Sequence, residues 1–285
     1  MYDDDQRPPE DRLQQPRQGK QGGAARTAGG AVLGLAALVA KFFAAIKAGL
    51  LALGGLKFLI FVPKLISFGS LFASILLYAA LFGGWKIAIV FVAMILVHEL
   101  GHYFTWRNFG VPARLPVFIP GLGAFTAAPG GTPAQNVAAA IAGPIFGIGA
   151  ATVCWIYGLE TGERFWIACA YIGFFLNFFN LIPLPPFDGG AIAGAIDARL
   201  WYVGIPLFAL FMIFFAHSAF SLIFLVLIGF AAYPRLRALW HGQIDPRASG
   251  LTPRQRLWTG IAYFATGLIA LAGASATIVE NTAAR

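Results

Sequence analysis

His98-Glu99-Leu100-Gly101-His102 is the stretch of this chain best placed to do chemistry. On a helix, positions four apart lie about 40° apart around the axis, so His98 and His102 share a face and can reach one metal ion. Glu99 is turned about 100° from His98, beside such an ion, where it can take a proton from water. Zinc is the metal this arrangement suits. With four His and five Glu in 285 residues, chance would supply an HExxH about 0.001 times per chain. Catalytic zinc usually takes three protein ligands and keeps one position for water, so a third ligand must come from elsewhere. The candidate stretch is Asn180-Leu181-Ile182-Pro183-Leu184-Pro185-Pro186-Phe187-Asp188-Gly189-Gly190. Its prolines break a helix and free carbonyl groups, and the natural partner of Asp188 there is a cation. Gly189 and Gly190 would let the chain pass close to that cation. Asp188 could instead cap a helix over 189–199. An HExxH in the same apolar chain favours the ligand reading, giving one zinc held by His98, His102 and Asp188.

The elements that must hold these residues are apolar. Residues 87–97 carry no charge, mean hydropathy is +0.74, hydrophobic residues make up 59% and charged ones 11%. Most of such a chain belongs in lipid, where two histidines and a glutamate are costly unless they function. A net charge of +8 would suggest nucleic acid in a soluble protein. Here the bases gather in loops, which points to membrane orientation and against nucleic acid. Cys154 and Cys169 lie in separate apolar segments without CxxC spacing and read as buried thiols.

In chain order, residues 1–30 read as a disordered tail with no cleaved signal. Residues 31–62 are apolar but broken by Lys41, Lys47 and Lys57, and read as an interfacial, re-entrant or spanning helix. Spans are expected over 65–83, 86–106, 136–158, 164–182 and 257–278. The run 201–233 is expected as two helices turning near His217-Ser218. The fold class is therefore an all-α polytopic membrane protein of six to eight spanning segments. Between the second and third spans, residues 115–127 read as strand, Gly-containing turn and strand, a small membrane-associated β-hairpin. The 107–135 and 234–256 loops are basic, which places them, with the N-terminus, in the cytoplasm of a multi-pass protein expected in the plasma membrane. Lys86 falls on the other side, so the positive-inside rule holds as a bias. From Lys86 to His98 is about 18 Å of helix in a hydrocarbon core of about 30 Å, so the motif lies inside the membrane, nearer the cytoplasmic face.

HExxH at His98–His102 together with NxxPxPxxDG at Asn180–Gly189 resembles the site-2 proteases, a family of intramembrane zinc metalloproteases. The resemblance covers about 85 to 200 and implies that His98, His102 and Asp188 bind zinc and that Glu99 is the general base. It further implies that Asn180 positions the substrate or its oxyanion. The hairpin, with Phe118, Phe125 and Thr126, would receive the substrate. Residues 63–200 would then be the protease core and 201–285 C-terminal transmembrane helices, with no domain inserted between the motifs. The segment Ala142-Gly143-Pro144-Ile145-Phe146-Gly147 matches a Gly-rich family turn, in which members often carry Asn where Gly147 stands, and is assigned to helix packing. The function implied is an endopeptidase cutting transmembrane segments of other proteins near the cytoplasmic side. The competing readings are a transporter or channel using intramembrane His, Glu and Asp, and an inactive scaffold. Substrate identity and oligomeric state have no signal in the sequence.

Overall fold

The structure is a computed structural model and describes residues 41, 44, 62–215, 219–243 and 250–283. The chain divides between Phe61 and Val62. The tail expected over 1–30 and the segment weighed over 31–62 lie outside the described residues, except for helical Lys41, Ala44 and Val62.

From Val62 onward the described chain is helical apart from one hairpin. In order come α1 (Val62–Phe82), α2 (Trp85–Asn108), β1 (Val117–Ile119), β2 (Gly123–Phe125), α3 (Pro133–Thr161) and α4 (Arg164–Asn180). Then follow α5 (Asp188–Asp197), a 3-10 turn (Ala198–Leu200), α6 (Trp201–Phe215), α7 (Ala219–Trp240) and α8 (Pro253–Ala283). Helices dominate because lipid offers no partner to an unpaired peptide group. Among the described residues, five stretches are long and apolar enough to cross a membrane: Lys64–Phe82, Trp85–Asn108, Pro133–Thr161, Asp188–Ile213 and Pro253–Ile278. That is fewer than the six to eight expected. The 17 residues of α4 give only about 25 Å of helix, because the proline run after Asn180 ends it. α7 brings Pro234, Arg235 and Arg237 into its C-terminal part. The run 201–233 is divided between α6 and α7, and the turn expected at His217-Ser218 lies outside the described residues.

α2 is the hub, packing on α1, α3 and α4, while α8 closes over α4, α3 and α5. Where lipid replaces water as solvent, helices associate through close packing of small residues. Ala151, Ala170, Ala270 and Ala274 do this around Phe174. A Cβ added at Gly101 would stand 2.6 Å from the Ala142 carbonyl oxygen. The α2 and α3 backbones therefore touch at the level of the HExxH residues. Phe68, Phe230 and Phe264 stand outward, a surface suited to acyl chains.

The hairpin is shorter than the sequence suggested. β1 and β2 pair antiparallel, Val117 with Phe125, Phe118 with Ala124 and Ile119 with Gly123. The Leu122 N–H closes the turn on the Ile119 carbonyl at 2.9 Å. The outer edge of β1 is sealed by α1: the Phe118 N–H donates to Ser70 Oγ at 3.0 Å, and the Ser67 hydroxyl donates to the Pro116 carbonyl.

Candidate metal centre

His98, Glu99 and His102 are all buried on α2, one helical turn apart as their spacing requires. Asp188 arrives from the opposite side as the first residue of α5. It does not cap that helix: the N-cap is Phe187, with no side-chain cap bond. Its carboxylate goes to the histidines, with His98 Nε2 3.0 Å from Oδ2 and His102 Nε2 3.4 Å from Oδ1. The two Nε2 atoms are 3.1 Å apart.

The other ring nitrogens decide what this cluster can hold. His102 Nδ1 lies 2.7 Å from the Ala139 carbonyl oxygen, and His98 Nδ1 lies 2.8 Å from Asn177 Oδ1. Both partners are acceptors, so both Nδ1 atoms carry a proton, and a neutral ring then presents its lone pair at Nε2. Two lone pairs and a carboxylate converging within 3.0–3.4 Å call for a cation between them. Tetrahedral zinc bonds of about 2.0–2.1 Å would space neighbouring donors about 3.3 Å apart. The donor set therefore fits zinc.

Glu99 stands apart from this triplet. Its donor atoms and those of the two histidines lie within 4.8 Å of one another, a wider spread than the Asp188 contacts. Its side chain is 6% exposed, and Oε2 is buried without a hydrogen-bond partner. A buried carboxylate oxygen left bare is costly and accounts for itself when water enters the site. Glu99 therefore stands beside the His98–His102–Asp188 contacts at a wider spacing, with one carboxylate oxygen free to take a proton.

The surrounding elements explain how these residues are held. Pro185 has no N–H to return to the Leu181 carbonyl four residues earlier. The Tyr263 hydroxyl of α8 donates to that carbonyl instead. Trp201 Nε1 donates to the Gly190 carbonyl at 2.7 Å, anchoring the first turn of α5 behind Asp188. Phe179, Phe187, Phe208 and Phe211 pack around the proline loop. Gly189 packs so closely on the Leu181 carbonyl that any Cβ would collide with it.

The segment 142–147 does more than pack helices. A Cβ on Gly143 would overlap the His102 ring, and one on Gly147 would overlap the Asn177 amide. α3 therefore forms the wall behind the ligands, and its carbonyl at Ala139 orients His102. Asn177 escaped the sequence reading altogether. Its signal was there, a lone amide inside the apolar α4, but nothing in the sequence says what it faces.

The remaining expected residues are placed as follows. Asn180 ends α4, half-buried, at the start of the proline loop, and among the described residues no hydrogen bond holds its side chain. Phe118 is 3% exposed and packs with Tyr78, Ala88, Val92 and Ile95, so its side chain belongs to the core. Phe125 is 49% exposed. The Thr126 hydroxyl donates to the Glu99 carbonyl at 3.3 Å, tying the end of the hairpin to the HExxH turn.

Comparison with known proteins gives two matches. Peptidase family M50 matches residues 160–203, which run from the end of α3 through α4 and Asp188 into α6. A Methanocaldococcus jannaschii protein named "Putative zinc metalloprotease" is 32% identical over 145 residues, which covers 42% of this chain and 75% of the relative.

Proposed function

This chain belongs to peptidase family M50, the site-2 protease family, and is a multi-pass membrane metallopeptidase; from that premise we propose that it cuts membrane-spanning segments of other proteins inside the bilayer, nearer the cytoplasmic face. The observation that carries the proposal is the burial of a complete hydrolytic set among apolar helices. His98, His102 and Asp188 converge, and Glu99 Oε2 stands beside them unpartnered. A charged cluster of this kind at membrane depth is expensive unless it works.

One zinc ion per chain, held by His98, His102 and Asp188, would supply Lewis-acid polarisation of the scissile carbonyl and of the attacking water. Glu99 takes the water proton on Oε2 and passes it to the leaving amine. Asn180, unheld at the mouth of the proline loop, hydrogen-bonds the substrate main chain or its oxyanion.

A helical substrate hides its carbonyls in its own hydrogen bonds, and unwinding it in lipid costs several kcal/mol per unpaired group. The hairpin supplies replacement bonds by strand addition. β1 has no free edge, since Ser67 and Ser70 occupy it. Pairing alternates along an antiparallel ladder. With Phe118 turned outward to α1, Ala124 and Thr126 turn their main chains to the open edge of β2. We place the substrate strand there.

The test uses purified protein reconstituted with a panel of single-span substrates. Glu99→Gln is expected to keep zinc and to lose cleavage by about 10²–10⁴-fold. Cleavage at the parental rate by Glu99→Gln would remove Glu99 as the base and with it the proposed chemistry.

A further inference from the structure

The two histidine ligands are oriented by different kinds of group. His102 leans on a main-chain carbonyl, Ala139, which no side-chain substitution removes. His98 leans on a side chain, Asn177, contributed by another helix. We infer that Asn177 is the positioning residue that sets the tautomer of His98 for metal binding, and that residue 147 is glycine to leave room for its amide. The inference rests on the zinc reading of the His98–His102–Asp188 cluster but is tested partly without zinc.

Asn177 is 0% exposed, so each polar atom of its amide must find a partner inside the protein. Nδ2 donates to the Gly173 carbonyl at 2.7 Å, one turn back on α4. That bond fixes which way round the amide sits. Flipping it would set Oδ1 against the Gly173 carbonyl, acceptor against acceptor. With Nδ2 committed, Oδ1 is the atom that faces His98 Nδ1 at 2.8 Å. His98 must then donate from Nδ1, which in the neutral ring leaves Nε2 unprotonated and directed at Asp188 and His102.

The amide occupies space taken from α3. A Cβ at residue 147 would meet Oδ1, Nδ2 and Cγ of Asn177 together. Any side chain there would push the amide off His98. Gly147 and Asn177 are one device on two helices, and its output is the direction of a lone pair on a third. Ligating histidines anchored through the second ring nitrogen bind metal about 10–100-fold more tightly than unanchored ones.

The experiment follows the full-length protein in detergent, labelled with ¹⁵N-histidine, first stripped of zinc and then titrated with it. His98 is assigned by comparison with His98→Gln. In the zinc-free parent, His98 is expected as the Nδ1–H tautomer, and finding Nε2–H instead overturns the inference without any variant. Asn177→Leu should lose that preference and weaken zinc binding about 10–100-fold. Gly147→Ala should weaken zinc binding in the parent but add nothing to Asn177→Ala, because the amide it displaces is already gone. Parental zinc affinity in Asn177→Leu, or additive losses in the double variant, would also overturn it. If the parent binds no zinc at all, the metal reading fails while the tautomer still decides the role of Asn177.

Discussion

The metal centre and the β-hairpin solve the same problem in opposite ways. Both put polar groups among apolar helices, where each unpaired one costs free energy. At the centre nearly every polar group is tied down. His98 is held by Asn177, His102 by Ala139, the proline loop by Tyr263 and Trp201. Among the described residues Glu99 Oε2 is the buried exception there, with the half-buried Asn180 amide also unheld. The hairpin is sealed on one edge by the α1 serines, and among the described residues no main-chain partner stands at the other. The contrast separates two tasks. Chemistry needs a fixed constellation with one vacancy for the reacting proton, whereas recognition of an unwinding helix needs an unsatisfied edge that any main chain can complete.

Variants should divide along the same line. The largest losses belong to the ligands: His98→Ala, His102→Ala and Asp188→Ala should each lose most bound zinc in metal analysis, and cleavage with it. Full zinc retention in Asp188→Ala would take it out of the site. Next comes the wall behind His102. Gly143→Ala drives a methyl into the imidazole and should weaken zinc about 10–100-fold by tilting that ligand, read by competition with a chelator. The hairpin should behave otherwise. Ala124→Pro or Thr126→Pro should leave zinc content unchanged and slow cleavage of a stable helical substrate about fivefold, the equivalent of one net hydrogen bond of about 1 kcal/mol. Thr126→Val controls for the lost hydroxyl. The effect should shrink for a substrate already loosened by Gly or Pro near its cut site. The smallest effect belongs to Ser70→Ala, which frees the β1 edge without touching β2 and should change the rate by less than about twofold. If the β2 prolines lower zinc content, the two regions are not separable.

Local periodicity made the centre legible. HExxH places its own side chains because a helix has a fixed pitch, and Asp188 announced itself as an acid in a proline-broken apolar run. The wall and the anchors were not legible for the converse reason. Gly143 and Gly147 show only a small-residue spacing. That one backs an imidazole and the other an amide depends on the α2–α3 and α3–α4 crossings, which no local pattern encodes. Asn177 was visible as an amide in lipid but not as a partner of His98, 79 positions away. Phe118 entered with the hairpin that the resemblance implies, and that its side chain packs inward against α1 and α2 depends on tertiary contacts no local pattern encodes. The spans over 65–83 and 86–106 matched α1 and α2 closely. α4 was cut short by prolines whose effect on length the hydropathy pattern does not register.

The most direct measurement is the position of the cut. A single-span substrate, cleaved by the parent protein in liposomes, would have both product ends read by mass spectrometry beside a Glu99→Gln control. The account predicts one cut within the apolar segment, in its cytoplasmic half, absent from the control. A cut in a polar region outside the membrane, or the same products from Glu99→Gln, would contradict it.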